Sequence, residues 1–423
     1  MRGVLALAAA LRRSADRFYT VPGYPVSDLA SLLDAEIVIN EKTALEYALG
    51  DSLSGRRACV IVKHVGMNAC ADPLVNATTQ GLCSGVVIVA GDDVDAVASQ
   101  NAQDSRYYGE IAQIPVLEPD AGTCPAAVEE AFRASEAFSR AALLRITPAL
   151  LEGEIPWTES VRKDASGQLA DPGLTLPGKA VAAGQRTAAV FAWSRGSPLN
   201  RIGGGTVGAG AAPGQSRAVT VYPPPADPAL LADTHEYGRP FLREHRWCEP
   251  PATGGVPERM EMRGYHRTFC RDCPFHPVFA ILKERGFRVI CDAGCSLLAM
   301  NPPYGIGAAS YGLGSSIGVA ATSTRLALTG DYALLHSGMN ALIDVYEKRT
   351  PLLCIVLKNN RMGMTGGHPA YDSMTYLTWA KPIVCRADDE AALREALHVP
   401  DEPRTVVIEG ACPEDGRHET VAY

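Results

Sequence analysis

No stretch of the sequence is apolar for long enough to cross a bilayer. Runs such as Gly85–Ala90 and Pro351–Leu357 fall far short of the ~20 residues a membrane helix needs. There is no Lys/Arg-rich run, and the net charge is −8. With no basic run to neutralise phosphates, that balance argues against a nucleic-acid partner. No short-period repeat and no low-complexity tail stands out. A secretory leader is not legible either. Met1–Leu11 is apolar, but Arg12 and Arg13 follow the run instead of preceding it, and no A-x-A site comes after. That segment reads as a first core helix, and the chain as cytoplasmic.

What is present is the composition of a globular protein, 47% apolar and 20% charged. A length of 423 residues exceeds one ordinary core, so two domains are expected, with room for a third. The twelve cysteines of a cytoplasmic chain are expected to be reduced, catalytic or metal-bound, not paired in disulfides. Cys59, Cys83, Cys291 and Cys354 lie in apolar runs and read as small buried hydrophobes. Cys270 and Cys273 form a C-x-x-C, a different kind of signal.

Strand and helix patterns alternate from Met1 to about Thr147 and again from Cys270 to Gly410. The predicted strands include Glu36–Asn40, Ala58–Val62, Gly85–Ala90, Arg288–Asp292, Leu326–Thr329, Leu352–Leu357 and Thr405–Glu409. The predicted helices include Glu41–Leu53, Pro125–Phe138, Val278–Arg285, Ser315–Thr322, Met339–Glu347 and Glu390–Leu397. Continuous apolar strands alternating with helices imply parallel sheets covered on both faces, an α/β fold. Between them, Gly, Pro and Ala dominate, and only Thr187–Trp193 and Ala218–Tyr222 look like strands. The division expected is residues 1–150, a reduced middle region 151–264, and 265–423.

The strongest motif is Gly330-Asp331 at a strand end, then a helix, then a strand ending in Asn359-Asn360. Residues 331 and 359 are 28 positions apart, the length of a helix and one parallel strand. Both tips then lie side by side at the carboxyl edge of the sheet, where α/β folds bind ligands. A carboxylate, an amide oxygen and a backbone carbonyl are hard oxygen donors of the kind Mg²⁺ takes, with phosphate oxygens completing its octahedron. Gly330 lets backbone approach a phosphate, and a following helix aims N–H groups at it. An ordinary turn is the alternative reading of the same spacing.

The surrounding text decides between them. Gly330–Ala341 (GDYALLHSGMNA), Leu357–Pro369 (LKNNRMGMTGGHP) and Asp292–Leu298 (DAGCSLL) together resemble the cofactor domain of the indolepyruvate:ferredoxin oxidoreductase alpha subunit family, 2-oxoacid enzymes dependent on thiamine diphosphate. The resemblance implies two thiamine diphosphate-binding-type domains, a pyrimidine-binding domain first and a diphosphate-binding domain last. It implies Asp331 and Asn359 as Mg²⁺ ligands, with a backbone carbonyl from Arg361. Gly294, Cys295, Gly330, Tyr332, Met364 and Thr365 would lie near the cofactor, and His336 either near it or in helix packing. In the first half, Asn40–Ala44 (NEKTA), Lys63–Pro73 (KHVGMNACADP) and Ser99–Tyr108 (SQNAQDSRYY) are similar to the pyrimidine half of the same family. Glu41 would then hydrogen-bond the aminopyrimidine and favour its imino tautomer, so that the cofactor acts as an electron sink. Without the resemblance, a Glu in the first turn of a helix is merely favourable with the dipole. His64 and Asn68 are candidates for substrate contact, with a structural loop histidine as the alternative.

In the same family a C-x-x-C and a Gly-Cys at matching places help hold a [4Fe–4S] cluster. By that resemblance Cys270, Cys273 and Cys295 are ligands, with Cys412 the first choice for the fourth thiolate, then Cys385 and Cys248. A zinc half-site is the other reading of C-x-x-C. The sequence departs from the family in three places. It carries no ferredoxin-like tail of paired C-x-x-C-x-x-C-x-x-x-C sets, its middle region is reduced, and Tyr24 stands where the family usually has a small Thr. The implied reaction is decarboxylation of a 2-oxoacid, such as an aryl pyruvate. Electrons would pass to ferredoxin or a beta-type partner subunit and the acyl group to coenzyme A. A non-oxidative decarboxylase or carboligase, and a non-catalytic subunit of such a complex, are the alternatives. The family's site architecture also implies at least a homodimer.

Overall fold

Long apolar strands with helices packed over them are what the chain builds, twice. The computed structural model describes residues 1–157, 160–199, 254–414 and 416–422, with strand segments at 203–204, 215–216 and 220–222. Beyond Tyr222 the stretch to Trp247, and with it Cys248, lies outside the described residues. The chain divides into two units, one of Met1–Ala170 with Ala180–Val256, the other of Asp171–Lys179 with Pro257–Tyr423.

The first unit begins with helix α1 (Gly3–Ser14), strand β1 (Arg17–Thr20) and the two-residue β2 (Glu36–Ile37). Helix α2 (Glu41–Leu53), β3 (Ala58–Lys63), α3 (Gly66–Gln80) and β4 (Val86–Gly91) follow. Then come β5 (Val116–Leu117), α4 (Cys124–Phe138), β6 (Ala142–Ile146), α5 (Leu176–Gly196) and β7 (Thr220–Tyr222). The sheet order is β2-β1-β3-β4-β6-β5-β7, with six parallel strands and β7 antiparallel at one edge. Strands β4 and β6 are buried throughout, and β3 up to its last residue, as strands covered on both faces must be. One face packs Cys59, Ile61, Val87, Val89 and Leu144 against Leu7 and Leu11 of α1 and Phe132 of α4. Each such fully buried side chain contributes about 1.5–3 kcal/mol.

Helix α5 corrects one sequence reading. Thr187–Trp193 is helical, not a strand. Its buried residues, Ala183, Thr187, Val190, Phe191 and Ser194, recur at helical spacing. Seven residues of mostly apolar text look like a strand, and only the longer window reveals the turn-by-turn face. Strand β2 is also shorter than Glu36–Asn40. It is an edge strand with Ile37 and Ile39 exposed.

The second unit contains β8 (Tyr265–Arg267), α6 (His276–Glu284), β9 (Val289–Cys291), β10 (Gly307–Ala309), α7 (Ser316–Ala321) and β11 (Leu326–Gly330). It continues through α8 (Met339–Glu347), β12 (Leu353–Lys358), β13 (Ile383–Arg386), α9 (Glu390–Ala396), β14 (Arg404–Glu409) and β15 (Thr420–Ala422). Its six-stranded parallel sheet runs β10-β9-β11-β12-β14-β13. The separate ribbon β8–β15 is antiparallel. Phe279 and Leu282 of α6 and Leu393 of α9 cover Cys291, Leu328, Ile355, Val406 and Ile408. The expected α/β class with helix-flanked parallel sheets is the fold observed. Among the described residues no helix is long and apolar enough to cross a membrane.

Candidate functional site

Strands β11 and β12 run parallel with Gly330 opposite Leu357. Asp331 and Asn359 therefore leave the same edge of the sheet as neighbours, as their spacing requires. Asp331 is 2% exposed, and its carboxylate collects three backbone donors. Tyr332 N donates to Oδ1 at 2.7 Å, and Asn359 N and Asn360 N donate to Oδ2 at 3.1 and 2.7 Å. Asn360 has φ +55°, a left-handed conformation that Asn tolerates better than most residues. That turn brings two consecutive N–H groups to one oxygen, which is a use for the second Asn of the pair. The Asn359 side chain is held at both ends, its Oδ1 accepting from Arg361 N at 3.0 Å and its Nδ2 3.1 Å from Cys412 Sγ.

Burial raises the Asp331 pKa despite the three N–H donors and the charge of Lys358. Among the described residues no Lys or Arg forms an ion pair with it. Buried carboxylates are normally paired or bound to a metal. The donor set here, carboxylate plus amide oxygen, suits a hard divalent cation. The backbone around it is open. A Cβ on Gly330 or Gly294 would meet nothing within 4 Å. Gly294 has φ +111° and ψ −160°, a region essentially reserved for glycine. Asp292, which the motif reading passed over, fixes this loop. It accepts from Ser316 N at 2.8 Å and from the Thr329 hydroxyl. After Asp331–Ala333, residues Leu334–Gly338 form a π-helical turn leading into α8, a local widening common at functional sites.

A cavity of about 380 Å³ opens here, lined by Gly294, Cys295, Gly330, Asp331, Tyr332, Asn359, Arg361, Met364 and Thr365. Cys270, Cys273, Cys412 and His418 line the same space. His336 does not line it. It is exposed, with Nδ1 3.1 Å from Ser337 Oγ. Cys385 is packed in the core of β13. Burial, and then neighbouring thiols, push Cys273 and Cys295 up to about 12, so the bare thiols are protonated at neutral pH. Metal binding deprotonates such thiols outright. Among the described residues no three His, Cys, Asp or Glu converge tightly enough for one metal ion. The four thiols line one cavity.

In the first unit, Asn40 caps α2, its side chain accepting from Thr43 N at 2.8 Å. This places Glu41 as the first helical residue, half-buried against Gly66, where a Cβ would stand 2.7 Å from its Cγ and Oε1. His64 follows the end of β3 and is fully buried. Its Nδ1 accepts from Asp93 N at 3.4 Å, which leaves Nε2–H to donate to Asn101 Oδ1 at 3.1 Å. Exposed Asn68 exchanges two hydrogen bonds with Gln103, at 3.2 and 3.1 Å, and accepts one from the Tyr108 hydroxyl. The loop carrying Asn101 and Gln103 is anchored by a buried charge cluster. Arg145 reaches Asp92 at 2.5 Å and Glu118 at 2.8 Å, and Arg106 reaches Asp104 at 2.8 Å and Glu118 at 2.7 Å. Sequence periodicity carried no sign of that cluster.

With this geometry in view, residues 285–408 match the family model for the thiamine pyrophosphate enzyme C-terminal TPP binding domain. The chain is similar to indolepyruvate oxidoreductase subunit IorA of Methanothermobacter thermautotrophicus, 27% identical over 83% of this chain and 73% of that protein. It is also similar to IorA of Archaeoglobus fulgidus, 42% identical over a shorter stretch, 26% of this chain and 20% of the relative. Among solved structures it resembles a thiamine diphosphate-dependent 4-hydroxybenzoylformate decarboxylase of Rhodococcus jostii RHA1. The TM-score is 0.57 and the identity 16%, over 97% of this chain and 99% of that one. At that identity the likeness concerns the fold.

Proposed function

As an IorA-like thiamine diphosphate-dependent 2-oxoacid enzyme of the oxidoreductase/decarboxylase class, this chain, we propose, decarboxylates a 2-oxoacid oxidatively with Mg²⁺ and an iron–sulfur centre. The observation that carries this reading is one cavity lined by Asp331, Asn359 and the four thiols of Cys270, Cys273, Cys295 and Cys412. Thiamine diphosphate, when bound, supplies a thiazolium that accepts the electron pair left when a 2-oxoacid loses CO₂.

The chain's own residues do the rest. Asp331, Asn359 and the Arg361 carbonyl would hold Mg²⁺, which would supply positive charge for the diphosphate. Gly330 and Gly294 leave room for its oxygens. The Asp331 charge, costly where it is buried, would be neutralised by such a cation. Glu41, fixed by the Asn40 cap, accepts the hydrogen bond from the pyrimidine and holds the proton there. Exposed Asn68, near the start of α3, would contact the substrate, and buried His64 would support it by holding Asn101 on the loop anchored by Arg106 and Arg145. The four cysteines would hold one [4Fe–4S] cluster, which would supply one-electron chemistry toward a ferredoxin or a beta-type subunit. Coenzyme A receives the acyl group, and the substrate is an aryl pyruvate. The working form is a homodimer or larger.

Iron and thiamine analysis of anaerobically purified protein, with a 2-oxoacid assay, tests this. About four irons per chain and coenzyme A-dependent reduction of a low-potential dye are expected. No iron, with aldehyde released, would assign the non-oxidative reaction instead. Glu41→Gln should bind cofactor and lose turnover. Unchanged activity in that variant would favour the non-catalytic subunit.

A further inference from the structure

No sequence motif contains His418. It stands between Cys412 and strand β15, half-buried on the wall of the thiol-lined cavity. Its Nε2 lies 3.4 Å from Cys295 Sγ, within reach for an N–H donor and a sulfur acceptor. The ribbon fixes that position. Arg267 of β8 pairs with Thr420 of β15. Beyond the paired strands, Thr268 N donates to Glu419 O at 2.9 Å and Glu419 N to Phe269 O at 3.3 Å. The backbone entering the Cys270-x-x-Cys273 turn is thus laced to the residue next to His418. The imidazole sits two residues before a strand braced to β8.

The cysteine turn is braced from its other side as well. His276, the first residue of α6, places Nε2 2.9 Å from the Cys270 carbonyl and Nδ1 2.7 Å from the Tyr304 hydroxyl. A carbonyl only accepts, so Nε2 carries the proton and Nδ1 accepts from Tyr304. His276 therefore spends its N–H on backbone, while His418 alone of the two histidines presents a nitrogen to a sulfur.

We propose that His418 is a positioning residue for the cysteine-held centre, donating Nε2–H to Cys295 Sγ and favouring the reduced, more negative state. The inference rests on the iron–sulfur reading above. A hydrogen bond to a thiolate counts for more as negative charge builds on the sulfur. One-electron reduction of the cluster, with dithionite as the donor in the test, adds that charge. Removing the donor should then make the cluster about tenfold harder to reduce, which for one electron is about 59 mV.

The test uses the full chain, reconstituted anaerobically with iron and sulfide, and reads the midpoint by redox titration with electron paramagnetic resonance. H418L removes the donor and H418Q keeps an N–H at similar reach. The expected result is the tenfold shift in H418L and less than a twofold shift in H418Q. A cluster-loaded H418L at the wild-type midpoint overturns the proposal while leaving the iron–sulfur reading intact. Equal shifts in both variants also overturn it. If H418L takes up no iron, H418Q decides. A loaded H418Q at the wild-type midpoint supports the donor role, and failure of both variants to load refutes it. Wild-type chain that binds no iron removes the iron–sulfur reading itself, and this inference with it.

Discussion

Replacing Asp331 by Asn tests the proposed metal clamp with little change of shape. The carboxylate offers one oxygen to Tyr332 N and the other to Asn359 N and Asn360 N. An amide with its oxygen turned toward the Asn pair keeps two of those bonds and sets its NH₂ against the Tyr332 N–H. One buried donor is left unsatisfied, at about 1–3 kcal/mol. Burial raises the Asp331 pKa, so losing the charge returns part of that cost. The cofactor-free protein should be destabilised by roughly 1–2 kcal/mol, about 2–8 °C in Tm for a unit of this size. Binding should suffer more. Removing one charge of a buried ion pair costs roughly 3–5 kcal/mol, about 10²- to several 10³-fold in Kd. Calorimetric titration with thiamine diphosphate, with and without Mg²⁺, reads this directly. The wild type should bind far more tightly with the metal, and D331N should lose that dependence. A folded D331N that keeps a Mg²⁺-dependent affinity within threefold of wild type would refute the clamp.

Three further outcomes follow from the geometry. A methyl group on Gly66 would stand 2.7 Å from Glu41 Oε1, so G66A should push the carboxylate aside, cutting turnover about 10²-fold with Tm within a few degrees of wild type. Full activity would show that Glu41 needs no fixed position. G294A has open space but a backbone only glycine adopts readily, so it should lower stability by about 1–3 kcal/mol in denaturant titration, and an unchanged midpoint would contradict the strain. Burial raises the Asp93 pKa, but the Ala98 and Val97 N–H groups outweigh it and hold it below 3.8. Its stabilisation is complete above that value and fades as pH falls through the lowered one. Amide-exchange protection of Val97 and Ala98 should therefore be lost in acid, and in D93N be missing already at neutral pH.

The helices and strands nearest the site were the most legible part of the fold. Glu41–Leu53 and Met339–Glu347 occupy the residues predicted for them, and the Leu352–Leu357 strand is displaced by one residue. Those segments are strongly patterned and bounded by an Asn cap, a Gly or a Pro. Weakly patterned segments were not. Helix α3 carries Pro73 in its interior and an Asn-Ala-Thr-Thr tail, which hides its period. Strand β1, Arg17–Thr20, runs from exposed to buried over only four positions without alternating, too little pattern to register. Helix α5 was misread because its apolar core segment was judged without Ala183 and Ser194, the positions that complete the face.

Within the site, legibility depended on how many chain reversals separate the partners. Asp331 and Asn359 sit on adjacent parallel strands joined by one helix, so their linear spacing encodes their contact. Asn40 and Glu41 are consecutive, and the cap that places one places the other. Cys412 is 53 residues beyond Asn359, yet its sulfur lies 3.1 Å from the Asn359 amide. Its own neighbourhood says nothing of this, and its nomination rested on the need for a fourth thiolate. His418 had no such arithmetic in its favour. Its position follows from the pairing of β15 with β8, more than 150 residues earlier in the chain. Strands of three residues with exposed faces leave no periodic trace that would announce that pairing. A ligand set can be inferred by counting donors. The groups that orient those ligands are visible only once the chain has been folded back on itself.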